Sequence, residues 1–453
     1  MEIIAAGAGA GKTTSMAKRI LSRLDQVNDG KILYVITYTN AARNRIRELI
    51  IKSIGVIPKQ LRIETIHVFL LHEVIFPFHH LLFEEQFRSV SNVKLPLNRA
   101  FKATKLKELN NNKLIHVEKV TETAKWILCK KTKDNKSIRE KRERVIKIMS
   151  KYLDCVFIDE AQDIDEHMTQ IIELLDNKGF NVFLIGDPKQ DLRGRNNFKS
   201  ILSRRKESVT YELKNQRCPL SHVTFSNLYV PSDQKQNPES EIEGEISYVF
   251  ETEIESSEEF VKNSNWDMVF IYQKNKRFNT HEERKISNRN LTYELEILIK
   301  RIETEDTKKK IIQYELFKEI LSKINEVNNF KVFSDIEKKL NIKLTSRDKG
   351  RLGEALESSR EKALLPGILV NSIDSIKGLE GERCLFIVTT DIAEYLFSKK
   401  RAENKMLNYL YVALTRSKKE LVLFISLEVQ EKYNEQEIVQ FFSDSQVDRY
   451  ELN

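Results

Sequence analysis

The chain has 453 residues, of which 31% are charged and 40% apolar, with a formal net charge of +8. That length predicts roughly three domains and ample core material. The sequence offers no apolar run expected to cross a bilayer, and Met1 leads straight into a strand, so neither a membrane partner nor a cleaved leader is expected. Cys129, Cys155, Cys218 and Cys384 are scattered with no Cys-x-x-Cys pair. Such spacing speaks against a disulfide framework or a zinc site and favours a reducing, cytoplasmic setting. The charge is uneven. Residues 99–151 carry 17 Lys/Arg against 6 Asp/Glu, residues 274–362 carry 22 against 16, and the remainder is acidic. Two basic blocks on an acidic body suggest a polyanion met at defined places, or else two solvated lysine-rich helical faces.

In chain order, Met1–Ala5 reads as a buried strand. Ala6-Gly-Ala-Gly-Ala-Gly-Lys-Thr-Thr14 follows, then an amphipathic helix to about Leu24. Strand, small-residue turn, Lys-Thr and helix is the pattern of a phosphate-binding loop, although Ala6 stands where its first glycine is expected. Backbone N–H groups of such a loop and the helix N-terminus face the anion. Ala8, Gly9, Ala10, Gly11, Lys12, Thr13 and Thr14 are the expected holders of phosphate. Lys12 is placed to reach the β and γ phosphates and Thr13 to hold Mg²⁺.

Lys31–Ile36 is a second buried strand, followed by Thr37-Tyr-Thr-Asn40 and a helix with Ala42, Ile46 and Leu49 on its apolar face. Arg62–Thr65 is a short strand leading into Ile66-His67. Alternating strands and helices predict an open parallel α/β sheet, whose ligands lie at the carboxyl ends of the strands. Thr37, Thr39 and Thr65 sit at such ends, where each serves as a helix cap or a ligand contact. From about Phe69 to Ser150 the periodicity turns helical and basic, with Trp126 expected in the core. The sheet resumes at Asp154–Ile158 and ends in Asp159-Glu-Ala-Gln-Asp163. An acidic pair behind a buried strand needs a cation or hydrogen bonds. Mg²⁺ on Asp159 would meet that need and leave Glu160 to orient or deprotonate a water. Asp163 suits the N-cap of the next helix better. Asn181–Ile185 is another strand, and Gln190 beyond it is placed to sense the γ-phosphate or the water.

Val209–Leu213, Ile246–Phe250, Met268–Tyr272, Ile368–Val370, Cys384–Val388 and Leu421–Ile425 continue the strand pattern. A second sheet is expected to begin near the first of these. A charged helical block, about 274–363, interrupts it, with Leu295, Leu298, Ile302, Ile320, Leu321 and Ile324 at core spacing. The end, Gln446–Asn453, is expected to fray. No internal repeat is visible in the sequence.

These motifs, in this order, resemble the superfamily 1 helicases that include UvrD, Rep and PcrA. Ala6–Thr14 is similar to their phosphate loop. Thr37-Tyr-Thr-Asn-Ala-Ala42 and Thr65-Ile-His67 are similar to their DNA-contacting motifs. Asp159-Glu-Ala-Gln162 resembles the Mg²⁺ and water motif, and Gly186-Asp-Pro-Lys-Gln190 the motif coupling hydrolysis to DNA. Asn215-Gln-Arg217, Asp374-Ser-Ile-Lys-Gly-Leu-Glu380 and Tyr411-Val-Ala-Leu-Thr-Arg416 resemble the three motifs of the second motor domain.

The resemblance implies an α/β protein of two RecA-like P-loop motor domains with parallel sheets, each carrying a mainly helical insertion. It places the first motor domain in 1–70 and 151–205 and its insertion in 71–150. The second lies in 206–273 and 364–453, with a reduced insertion in 274–363. ATP would lie between the motors with Mg²⁺ on Thr13 and Asp159. Glu160, Gln190, Arg217 and Arg416 would be catalytic, Arg416 as an arginine finger, and Glu380 would bind nucleotide. Single-stranded or tailed DNA would meet Tyr38, Thr39, Asn40, Thr65, His67, Arg193, Arg195 and Asp374, with 3′→5′ translocation.

Departures bear on this. The glutamine-containing segment that reads adenine is not present before the first strand. Gln216 replaces the tyrosine that stacks on adenine, leaving base selectivity open. Arg193 and Arg195 replace aromatic residues, losing about 1–3 kcal/mol of stacking per base. Asp374 stands where His is common. These departures and the short chain suit a second reading, a DNA-sensing ATPase that licenses a partner nuclease. In size and architecture the chain resembles the small UvrD-like subunit of the Gabija anti-phage systems, whose other member is a nuclease. A nucleotide-binding protein unrelated to nucleic acid is disfavoured by the basic blocks.

Overall fold

The computed structural model describes residues 1–96, 98–280, 289–303, 305–360, 367–397 and 404–452. Six strands form the first sheet: β1 (Glu2–Ala6), β2 (Ile32–Thr37), β3 (Leu61–Thr65), β4 (Leu153–Ile158), β5 (Asn181–Gly186) and β6 (Val209–Glu212). Their order is β3-β2-β4-β5-β1-β6, and every pairing is parallel. Parallel strands buried on both faces read as unbroken apolar runs, as Ile3, Ile4, Leu33–Ile36 and Cys155–Ile158 do here.

Six further strands form the second sheet: β7 (Glu245–Phe250), β8 (Met268–Ile271), β9 (Asn371–Ser372), β10 (Gly381–Val388), β11 (Ser417–Ile425) and β12 (Asp448–Arg449). The order is β9-β8-β10-β11-β7-β12, again all parallel. Taken in chain order, the third, second, fourth, fifth, first and sixth strands are neighbours in both sheets. The same winding is therefore used twice, a repeat that the sequence does not display.

Two boundaries differ from expectation. Val209–Glu212, assigned from sequence to the second motor domain, pairs with β1 in the first sheet, because Ile3–Ala6 offers it an open parallel edge. The last residues are not frayed throughout. Val447 is buried and Asp448–Arg449 pair with β7.

The chain divides into two compact units. One holds Met1–Arg88, Glu118–Thr280 and Val370–Asn453, including both sheets; the other holds Ser89–Val117 and His281–Leu369. The smaller unit thus draws on parts of both basic segments that the sequence assigned to separate insertions. The physical reason is a set of ion pairs that tie residues 89–117 to the apolar helices of the second segment. Leu291, Leu295, Leu298, Ile320, Val332, Ile336, Leu352 and Leu356 form its apolar centre, while Ile302 is exposed. Buried Lys105 pairs with Glu294, and Arg351 reaches Glu108 at 3.0 Å and Asp348 at 2.9 Å. Arg301 forks onto both Asp348 oxygens at 2.9 and 2.7 Å, holding that carboxyl well below its usual range. Residues 281–288, 304 and 361–363 of the expected 274–363 block lie outside the described residues.

In the larger unit, α1 (Lys12–Leu24) and α2 (Asn40–Ile54) pack on the first sheet. Thr39 Oγ1 caps α2 by accepting from Ala42 N at 3.1 Å, and Gly55 at φ 81° ends it. One helical stretch, Ile66–Phe83, is long and apolar enough by length and composition to cross a membrane, contrary to the sequence reading; 50% of it is buried within the protein. Pro77 lies just past the wider turns of Leu70–Ile75, where its missing N–H cannot continue the ordinary ladder. Trp126, expected in the core, is half-buried, with the ammonium of Lys125 3.8 Å and that of Lys131 4.6 Å from its ring centre.

Phe386 lies fully buried in β10, in the middle of the second sheet. Phe386→Ala is expected to cost about 3–5 kcal/mol of stability. Urea unfolding measures it, and a loss below about 1 kcal/mol would contradict the described core.

Candidate active site

The phosphate loop leaves β1 at Ala6 and enters α1 at Lys12. Gly9 and Gly11 both have φ 70°, the left-handed region that costs glycine nothing. At Gly9 the need is double, since a Cβ there would collide with the side chains of Asn215 and Arg217. The loop and the Asn215-Gln-Arg217 segment are thus in direct contact. Gly7 N donates to Glu212 O at 3.3 Å and Gln216 N to Gly9 O at 3.0 Å. Lys12 Nζ donates to Gly7 O at 3.1 Å and Ala6 O at 3.3 Å. Ala10, Gly11 and Thr13 are half-buried, and Thr14 is exposed.

Asp159 follows β4 and is 3% exposed. Its Oδ1 accepts from Glu160 N at 3.0 Å. Burial first, and the neighbouring Glu160 charge second, push its carboxyl up to about 7, against the pull of Lys12 and Arg45. Glu160 has φ 53°, uncommon for a residue with a Cβ and typical of strained functional turns. Its carboxylate accepts from the Gln162 amide. Gln162 Oε1 accepts from Asp187 N at 2.9 Å, and Asp187 Oδ2 accepts from Gln190 Nε2 at 2.9 Å. One hydrogen-bonded chain, buried beyond Glu160, therefore joins Glu160 to Gln190. The helix after this segment is capped by Asp165, which accepts from Met168 N at 2.7 Å, and not by Asp163 as expected. Asp163 is instead drawn to Lys377, whose ammonium donates to both its oxygens at 2.7 and 2.8 Å.

Residues around the second sheet form a further charged cluster, reached from the loop through Arg217. Arg217 Nε lies 2.6 Å from Glu380 Oε2, and Lys418 Nζ lies 3.1 Å from Glu380 Oε1. Burial works against ionisation of Glu380, but Arg217 and Lys418 outweigh it and hold the carboxyl below its usual range. Arg416 ends the segment after α3 (Lys405–Leu414) and is 1% exposed. It donates through Nε to Val412 O at 2.9 Å, through Nη1 to Leu379 O at 3.2 Å and through Nη2 to Thr415 Oγ1 at 3.2 Å. Burial and the nearby Arg217 charge both lower its pKa. Two cations thus stand close together beside the loop.

The residues expected to meet DNA fall into smaller groups. Tyr38 lies near Asp163, Asp165, Arg193 and Arg195, and burial followed by those two carboxylates pushes its phenol well up. Arg195 donates to Asp163 O at 2.7 Å, while Arg193 is exposed. His67 is half-buried near Asp165, with its pKa lowered by burial. Thr65 ends β3 and stands at the N-cap position of the following helix without a side-chain cap bond; Thr39 and Asn40 are exposed at the start of α2. Asp374 is exposed and accepts from Tyr409 Oη at 3.1 and 3.2 Å.

Ala8 departs from expectation. Its N–H donates to Tyr411 Oη at 2.8 Å, and its carbonyl accepts from Gln236 Nε2 at 2.7 Å. That peptide is engaged at both ends by protein, so it anchors the loop and does not present its N–H to phosphate. Sequence reasoning also missed Gln236, which lies in a polar stretch without a motif, and Lys377, which lies within a motif but carried no assigned role.

Two doubly wound parallel sheets, with a phosphate loop at the carboxyl end of the first strand, define the class: a P-loop protein of two RecA-like lobes. A family model described as AAA domain matches residues 1–194. The Gabija protein GajB of Bacillus cereus (strain VD045) is 25% identical over 244 residues, 50% of this chain and 46% of that protein. The match therefore spans about half the length of that curated relative. Among solved structures, a complex of Arterivirus nonstructural protein 10 (helicase) with DNA aligns over 95% of this chain and 63% of its own, with 10% identity and a TM-score of 0.37. The chain is thus similar over residues 1–194 to an AAA domain and over half its length to a Gabija protein.

A carboxylate buried beside another is costly until a cation or a proton neutralises it. In EDTA at pH 8, Asp159→Asn, which keeps the acceptor for Glu160 N, is expected to raise stability by about 1–2 kcal/mol. A lower melting temperature for this variant would contradict the electrostatic description.

Proposed function

We propose that the protein is a DNA-dependent ATPase that translocates 3′→5′ on single-stranded DNA and unwinds tailed duplex. The observation that supports this is the direct contact of the phosphate loop with the Asn215-Gln-Arg217 segment. Lys12 and buried Asp159 lie on the first lobe, with Arg217, Glu380 and Arg416 contributed from beyond it.

In this reading Gly9, Ala10, Gly11, Lys12, Thr13 and Thr14 cradle the phosphates of ATP, with Glu380 holding nucleotide from the second lobe. The residues fit Mg²⁺, because Asp159 is a buried carboxylate whose pKa is raised and Thr13 opens α1 with a hydroxyl. Held by Thr13 and Asp159, the ion would neutralise charge on the phosphate oxygens. Glu160 takes the proton of the attacking water, and the relay through Gln162 and Asp187 ties its orientation to Gln190. Arg217 and Arg416 stabilise charge developing on the γ-phosphate. Because both arginines come from outside the first lobe, phosphate state and lobe closure are linked. Tyr38, Thr39, Asn40, Thr65, His67, Arg193, Arg195 and Asp374 grip the strand.

A second reading is favoured by the match to a Gabija protein and by arginines where base-stacking aromatics stand in the UvrD type. In it, the chain senses DNA and licenses a nuclease partner in anti-phage defence, with little unwinding of its own. Unwinding of a 3′-tailed duplex by the isolated chain separates the two. Strand separation supports the helicase, and DNA-stimulated hydrolysis without separation supports the licensing subunit.

Lys12→Ala and Glu160→Gln are each expected to reduce DNA-stimulated ATP hydrolysis at least about 100-fold. Unchanged turnover in both would reject the site. Charge reversal at Lys130, Lys131 and Lys133 is expected to weaken single-strand binding and flatten its salt dependence. Equal affinity across a salt titration would show that this basic block is only a solvated surface.

A further inference from the structure

Three polar groups meet in a closed triangle at the phosphate loop. Tyr411 Oη accepts from Ala8 N at 2.8 Å and donates to Gln236 Oε1 at 2.8 Å; Gln236 Nε2 donates back to Ala8 O at 2.7 Å. Each group is used in the only sense its chemistry allows. The hydroxyl has one proton to give, and the Gln236 amide must turn its NH₂ toward the Ala8 carbonyl. All three residues are buried: Ala8 is 1% exposed, Gln236 2% and Tyr411 1%. Gly7 belongs to the same fit, since a Cβ there would collide with the Gln236 amide.

The triangle is wired into each part of the cleft. Gln236 Oε1 also accepts from Asn215 Nδ2 at 3.3 Å, and Asn215 Oδ1 accepts from Arg217 N at 3.0 Å. Lys189, next to Gln190, places its ammonium 4.9 Å from the Tyr411 ring centre and donates to Gln234 O at 2.9 Å. Tyr411 O accepts from Thr415 Oγ1 at 2.8 Å, and Thr415 Oγ1 accepts from Arg416 Nη2. Contacts therefore join the loop to Arg217, to Lys189 beside Gln190 and to Arg416 without passing through the nucleotide.

We propose that Tyr411 and Gln236 are positioning residues that latch the phosphate loop to the Arg416-bearing segment. Through them, nucleotide binding at the loop is transmitted to α3. This rests on the nucleotide cleft described above and adds a route to lobe coupling separate from the two arginines. Tyr411→Phe removes the hydroxyl and leaves the ring on Lys189. Gln236→Leu removes both amide groups at similar volume.

Amide hydrogen exchange on the full chain, with and without Mg²⁺ and a non-hydrolysable ATP analogue, tests the latch without requiring turnover. In the unchanged chain the analogue is expected to slow exchange in residues 7–14 and in α3. In each variant, protection of the loop is expected to remain while protection of α3 falls at least about threefold. The double variant is expected to be no worse than the worse single one, as for groups acting as one device. Gly7→Ala, which displaces Gln236 from outside, is expected to reproduce the loss and stands in for either variant should that one fold poorly. Full protection of α3 in these variants, or no protection of α3 in the unchanged chain, would overturn the proposal. Steady-state hydrolysis with and without single-stranded DNA is measured alongside. Absence of DNA stimulation in the unchanged chain would count against the motor reading and leave the exchange comparison standing.

Discussion

The proposed site depends on one constraint: a glycine-rich turn must be ordered while touching residues of both lobes at once. Small residues make this possible. Gly9 admits the side chains of Asn215 and Arg217 where any Cβ would exclude them. The turn is anchored at its start by the hydrogen bond from Gly7 N to Glu212 O, and in its middle by the bonds at Ala8 and by Gln216 N on Gly9 O. Loss of side-chain volume in this stretch is thus exchanged for backbone contacts that order it.

Around this turn the electrostatics are deliberately unbalanced within each lobe. The first lobe buries Asp159 beside Glu160, with Lys12 folded onto its own loop carbonyls. On the opposite side Arg416 is buried against backbone carbonyls, close enough to Arg217 for each to feel the other's charge. Neither arrangement is comfortable alone, since buried like charges repel and unpaired ones lose their hydration. In the proposed reading a metal-bound polyphosphate would complement both, bringing cationic charge to the carboxylates and anionic charge to the guanidiniums. Strain of this kind is a common signature of sites that await a ligand.

Much of this was legible in the sequence. Apolar runs marked the strands, and the Gly-Lys-Thr turn and the Asp-Glu pair fell at their carboxyl ends because parallel α/β sheets place ligands there. Thr39 as a cap was open to local reading, since capping needs only its own next turn. What escaped was long-range. Gln236 contacts Ala8 across 228 positions, and nothing in its polar neighbours signals that. Lys377 meets Asp163 across 214 positions, which drew Asp163 away from the cap role that its local setting suggested. The doubled strand order was hidden because the two sheets share geometry and not residues. The edge strand at 209–212 was misassigned because pairing, unlike periodicity, has no local signature.

The account stands on catalysis that needs both lobes at once. Single-turnover ATP hydrolysis by Arg416→Ala, with saturating single-stranded DNA and Mg²⁺, tests that most directly. A residue acting only on the γ-phosphate in the transition state predicts a fall in rate of about 10³ or more, with nucleotide affinity changed little. A variant that hydrolyses ATP at the unchanged rate would contradict the two-lobed site.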